Sequence, residues 1–89
     1  MEATSQVTDA APASQVIAAW ASSGIRARQI AAAWGQELLS TPRHARVESS
    51  MKIAERFHAD NSMAVRARNL LMGAKIIYKS DDDNRYHVA

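Results

Sequence analysis

Apolar residues recur along this chain with two periods, and the switch between them divides it into elements. In residues 13–21, ASQVIAAWA, Val16, Ile17 and Trp20 fall at i, i+1 and i+4, which predicts a short amphipathic helix. Ser22-Ser23-Gly24 breaks it. Ile30, Trp34 and Leu38 then recur every four residues on one stripe, with Arg26, Arg28, Gln36 and Glu37 off it, so a longer helix is expected over 25–39. Pro42 enforces an end, because the residue before a proline avoids the helical region. Arg46-Val47 suits a brief strand, and Ser49 is placed to cap a helix over 50–57. His58-Ala59-Asp60 turns into a further helix over 61–73, with Ala64, Ala67, Leu71 and Ala74 on its buried face. After Gly73 the period becomes two. Ile76 and Tyr78 then share one strand face and Ile77 and Lys79 the other, before a turn over 80–84 and a return over 85–88.

The segment SMKIAERFHADNSMAVRARN, residues 50–69, falls on the template of a DNA-binding helix-turn-helix. Ile53, Phe57, Ala59, Ala64 and Ala67 sit where two short crossed helices bury side chains, and Ala54 is small enough to let them approach. Asp60 is placed to accept bonds from the free amides opening the second helix. The following hairpin makes the expected fold class mainly α with a small β-hairpin, a winged helix-turn-helix. Residues 1–12, rich in Ser, Thr, Ala and Pro, are expected to be a disordered tail. Residues 13–24 form a short extra helix, and 25–89 the winged domain.

From Val47 to Ile77 the chain resembles, without gaps, the DNA-binding domain of the GntR family of bacterial transcription regulators. Where the family commonly reads LPSERELAERF and GVSRMTVRRAL, this chain has VESSMKIAERF and HADNSMAVRAR. The shared residues are Ser49, Ala54, Glu55, Arg56, Phe57, Arg66 and Ala67; QIAAAWGQEL and YHVA resemble the family's first helix and the end of its wing. The resemblance implies a DNA-reading head with no effector domain. Four positions depart from it. His58 stands at the usual turn glycine, a site that favours positive φ. Met51, Asn61 and Val65 replace arginines that contact DNA in the family. Arg68 replaces an apolar residue, so the helix is rotated or the arginine snorkels outward. The wing turn reads SDDDNR, where glycine and basic residues are usual.

Composition narrows the classes. Alanine supplies 18 of the 89 residues, which makes for a thin core. The absence of cysteine excludes disulfides, thiolate nucleophiles and Cys-ligated metal. No apolar run approaches the roughly 18 residues of a membrane span, and the N-terminus lacks a signal-peptide pattern, so a cytoplasmic protein is expected. Between Arg26 and Lys79 ten Lys or Arg stand against four acids, although the whole chain carries only +2. A basic centre favours a polyanionic partner. His44, His58 and His87 show no metal-ligand spacing, and no nucleophile–base constellation is legible, so neither enzyme, metal nor cofactor is expected.

In the major groove the second helix of the motif would present Asn61, Ser62, Val65, Arg66 and Asn69 to base edges. Arg66 suits guanine, Asn61 or Asn69 adenine, and Val65 a thymine methyl. Arg46, Ser50, Lys52, Arg56, Arg68, Lys79 and Arg85 are assigned to the DNA backbone, with an ordinary intrahelical pair to Lys52 or a neighbouring acid the alternative for Arg56. Asp81-Asp82-Asp83 fits DNA worst; a solvated turn, a contact to another subunit and a cation site all stand as readings. Val16, Ile17 and Trp20 either dimerise the protein or pack on the Trp34 helix. The function expected is that of a small transcriptional regulator, a repressor, on double-stranded DNA as a homodimer or higher assembly without a small-molecule effector. It suits a plasmid, phage or other mobile element. The alternatives are an accessory factor in partition or recombination, and a winged helix used for protein–protein contact.

Overall fold

The computed structural model describes residues 12–89, so all of the expected tail except Pro12 lies outside the described residues. Four helices are followed by two strands: α1 (Ala13–Ala21), α2 (Arg26–Leu39), α3 (Ser50–Arg56), α4 (Asn61–Gly73), β1 (Ile77–Lys79) and β2 (Tyr86–Val88). The strands pair antiparallel, with Ile77 opposite Val88, Tyr78 opposite His87 and Lys79 opposite Tyr86. On the other edge of β2, Arg46 forms an isolated antiparallel bridge to His87. Val47 N–H donates to Tyr86 O at 2.8 Å and His44 N–H to Val88 O at 2.7 Å. The described chain is thus mainly helical with a small antiparallel hairpin. None of its helices is long and apolar enough to cross a membrane.

The stripe on α2 is the spine of the core. Ile30 and Trp34 are fully buried, and Leu38 closes the stripe one turn later. Gly35 lies beside it for a steric reason. A Cβ there would stand 3.1 Å from both Ile17 Cδ1 of α1 and Leu71 Cδ2 of α4, so three helices meet where α2 has no side chain. Ile17 is therefore core, so of its two expected roles it takes the packing on the Trp34 helix and not the dimer contact: α1 turns that side chain onto α2. Trp20 packs half-buried against the same core, and Val16 is half-buried.

Local chemistry sets the ends of α3 and α4. Ser49 Oγ accepts from Lys52 N–H at 3.3 Å, and Asp60 Oδ1 from Met63 N–H at 2.8 Å, capping the two N-termini. Both helices close in the same way. Ala59 N–H reaches Ala54 O and His58 N–H reaches Glu55 O; Ile76 N–H reaches Leu71 O and Lys75 N–H reaches Met72 O. These six-to-one and five-to-two bonds place His58 (φ 53°) and Lys75 (φ 62°) in the left-handed position that glycine usually holds. Between the caps, Ile53, Ala64, Ala67 and Leu71 are fully buried, with Phe57 and Ala59 packed half-buried beside them.

One strand expectation is corrected. Ile76 and Ile77 are both buried while Tyr78 is exposed, so Ile76 does not share a face with Tyr78. The left-handed turn at Lys75 re-aims Ile76 into the core before the strand begins, and within β1 Ile77 is buried while Tyr78 and Lys79 are both exposed. The hairpin closes through Ser80 N–H to Arg85 O at 2.8 Å around Asp81–Asn84, with Asn84 at φ 60°. Asparagine tolerates that conformation better than most residues.

Candidate functional site

Helical spacing divides the exposed side of α4 into two ridges. Ser62, Arg66 and Asn69 form the outer one and are all exposed. Asn61, Val65 and Arg68 form the next, turned towards α3 and β2; Val65 and Arg68 are half-buried. Some of these groups are already engaged. Ser50 Oγ donates to Asn61 Oδ1 at 3.0 Å, joining the starts of α3 and α4. Ser62 Oγ donates to Asp60 Oδ1 at 2.8 Å. The Met63 amide first, then the Ser62 hydroxyl, holds the Asp60 carboxyl below its usual range. Arg66 makes no ion pair among the described residues.

Beside the inner ridge is a cleft of about 510 Å³. Arg46 and Ser50 come to it from the segment before and at the start of α3, Lys52 from α3, Arg68 from α4 and Arg85 from the approach to β2. Five of the seven residues assigned from sequence to the DNA backbone therefore line one concavity, although they span forty positions of the chain. Lys79 is not in this lining; its ammonium lies 5.9 Å from the centre of the Tyr86 ring. Arg68 does not extend freely into solvent but is half-buried. Its guanidinium carbon stands 4.5 Å from the Tyr86 ring centre, a cation–π contact.

Arg56 is a correction. Its guanidinium donates to Glu48 Oε1 at 2.7 Å and to the Glu37 carboxylate of α2, so its charge is matched within the fold. The bond to Glu37, then that to Glu48, raises its pKa further. The alternative expected from sequence, a pair within its own helix, does not form either: both acids come from outside that helix. Arg26 also serves α3, donating from Nη2 to Phe57 O at 2.8 Å near the helix end.

The acidic turn contains an arrangement not expected from the sequence. His87 Nε2 lies 2.8 Å from Asp83 Oδ2, and Nδ1 lies 2.9 Å from His44 O. Both ring nitrogens face acceptors, which only the imidazolium can satisfy together. The His44 carbonyl, then Asp83, raises the His87 pKa, and Asp83 is lowered chiefly by His87. The ring also stacks on Tyr78 at 5.8 Å, and the Tyr78 hydroxyl lies 2.9 Å from His44 Nδ1. The i,i+4 spacing of Asp83 and His87 was the signal, though such spacing marks contact in helices rather than hairpins. Among the described residues no group of three or more His, Asp or Glu is placed to hold a metal ion. Comparison of the chain with protein-family models, with curated proteins and with solved structures returns no match.

Proposed function

We propose that this protein binds double-stranded DNA as a winged helix-turn-helix, similar to a GntR-type reading head, and acts as a small transcriptional repressor. The element order supports the fold: α2, the bridge at Arg46, α3, α4, then the β1–β2 hairpin as wing. The observation that carries the function is the convergence of Arg46, Lys52, Arg68 and Arg85 in one cleft bordering α4. Four cations at one concavity release counterions from a polyanion. With α4 in the major groove, Arg66 meets guanine and Asn69 adenine on the outer ridge, each pair discriminating by about 1–3 kcal/mol. The half-buried Val16 and Trp20 leave α1 as the dimerising element for a twofold site.

The second reading, a winged helix that binds a protein, draws on the exposed carboxylates of Asp81 and Asp82 at the wing tip. Titration against a mixed-sequence duplex at two salt concentrations separates the two. DNA binding predicts tight association at low salt that weakens steeply as salt rises. No association at low salt, or affinity indifferent to salt, would sink it.

A further inference from the structure

The four cations of the cleft have no acid partner among the described residues. The one acid in the lining, Glu48, gives its Oε1 to Arg56. Like charges gathered in a concavity repel one another, and an entering anion removes that repulsion. Three of the four, Arg46, Lys52 and Arg85, are exposed and follow an anion loosely. Arg68 is different. It is half-buried, the Tyr86 ring holds one face of its guanidinium, and its buried Nε has no hydrogen-bond partner among the described residues.

A guanidinium presents its donors as a rigid fork that matches the oxygens of a phosphate. Closed to solvent, that Nε–H cannot itself meet an external oxygen; the Nη groups, which make no hydrogen bond among the described residues, are the donors left for an entering anion. We infer that Arg68, positioned by the ring of Tyr86, is the fixed anchor of a phosphodiester site, and that the cleft seats one DNA strand's backbone there. Arg46, Lys52 and Arg85 supply charge around this anchor. Backbone capture thus precedes base reading by the outer ridge of α4. The inference rests on the DNA reading above and names its phosphate contact.

The test follows the Arg68 Nε–H resonance by NMR, together with binding of a mixed-sequence duplex over a salt series. The duplex should shift that resonance. Arg68→Met should weaken all sequences alike and reduce the slope of log K against log salt by about one. Arg68→Lys should restore the slope without the full affinity, because it keeps the charge and loses the fork. Tyr86→Phe should bind like the wild type and Tyr86→Leu more weakly. Inorganic tripolyphosphate separates free phosphate from a backbone: it should compete only where its ionic strength alone would act. If it instead saturates the resonance shift at far lower concentration while the duplex leaves Arg68 unmoved, the backbone assignment is overturned. A wild type that ignores duplex at low salt sinks the DNA reading and this inference together. A wild type that binds while folded Arg68→Met keeps its affinity and slope sinks this inference alone.

Discussion

His87 reaches back to Asp83 across the hairpin turn, Nε2 to Oδ2 at 2.8 Å, while its Nδ1 meets the carbonyl of His44 on the neighbouring segment. One imidazole ring thus joins the hairpin turn to the chain that leads into α3, and engages one of the three carboxylates of that turn. Its folded pKa lies above the ordinary 6.5, so its contribution to stability is complete below about 6.5 and lost as pH rises through the raised value. Asp83 lies below its ordinary 3.8, so its share is present above that value and lost as pH falls through the lowered one. The hairpin turn is therefore best held in weakly acidic solution. NMR titration should place the His87 ring above 6.5, and His87→Gln should flatten the decline of Tm with rising pH. A ring that titrates at or below 6.5 overturns this account.

Gly35 and Gly73 both lie in helices and should respond oppositely to added side chains. A Cβ at Gly35 meets Ile17 and Leu71, whereas at Gly73 it meets nothing within 4 Å. Gly35→Val should destabilise by about 1–3 kcal/mol through overpacking. Gly73→Ala should stabilise by up to about 1 kcal/mol through helix propensity. Urea unfolding measures both, and equal midpoints for Gly35→Val and the wild type would refute the three-helix contact.

His58 stands at φ 53° and Lys75 at φ 62°, each closing a helix where a side chain is strained. The left-handed region costs an L-residue roughly 1–2 kcal/mol, of which glycine returns about half through its freer unfolded chain. His58→Gly and Lys75→Gly should each raise stability by roughly 0.5–1 kcal/mol. A loss in either would mean that its side chain makes contacts outweighing the strain.

Arg56 and Glu48 should act on DNA only as a pair. Because these groups are 39% and 48% exposed, Arg56→Met should cost under about 1 kcal/mol of stability. It should nevertheless weaken duplex binding, because it leaves an unmatched Glu48 carboxylate in the basic cleft. Adding Glu48→Gln should restore the affinity. If the double variant binds as weakly as the single one, Arg56 touches phosphate itself.

Arg66 and Lys52 should separate base reading from charge. Arg66→Ala should relax preference at one base position, by about 1–3 kcal/mol, in site selection from a random duplex pool. Lys52→Ala should weaken every sequence alike and lower the salt slope by about one. Identical behaviour of the two would mean that α4 is not the reading helix.

What could be read from the sequence was local. The stripe of Ile30, Trp34 and Leu38, the caps at Ser49 and Asp60, the turn at His58 and the buried alanines of α4 all depend on neighbours within a few residues, and periodicity records those. Burial of Ile17 was not legible, because it depends on the missing side chain of Gly35, eighteen positions away. Tertiary structure likewise decided how the charges divide. Arg56 meets Glu37 across nineteen positions, whereas Arg46, Lys52, Arg68 and Arg85 converge with no acid paired to them among the described residues. The physical reason is one of range. Hydrophobic period and capping act along the chain, but a charge interacts with whatever the fold brings near it, through a potential set by distance in space. The sequence by itself determined which side chains could carry a positive charge; the tertiary structure decided which of those charges remain available to an anion.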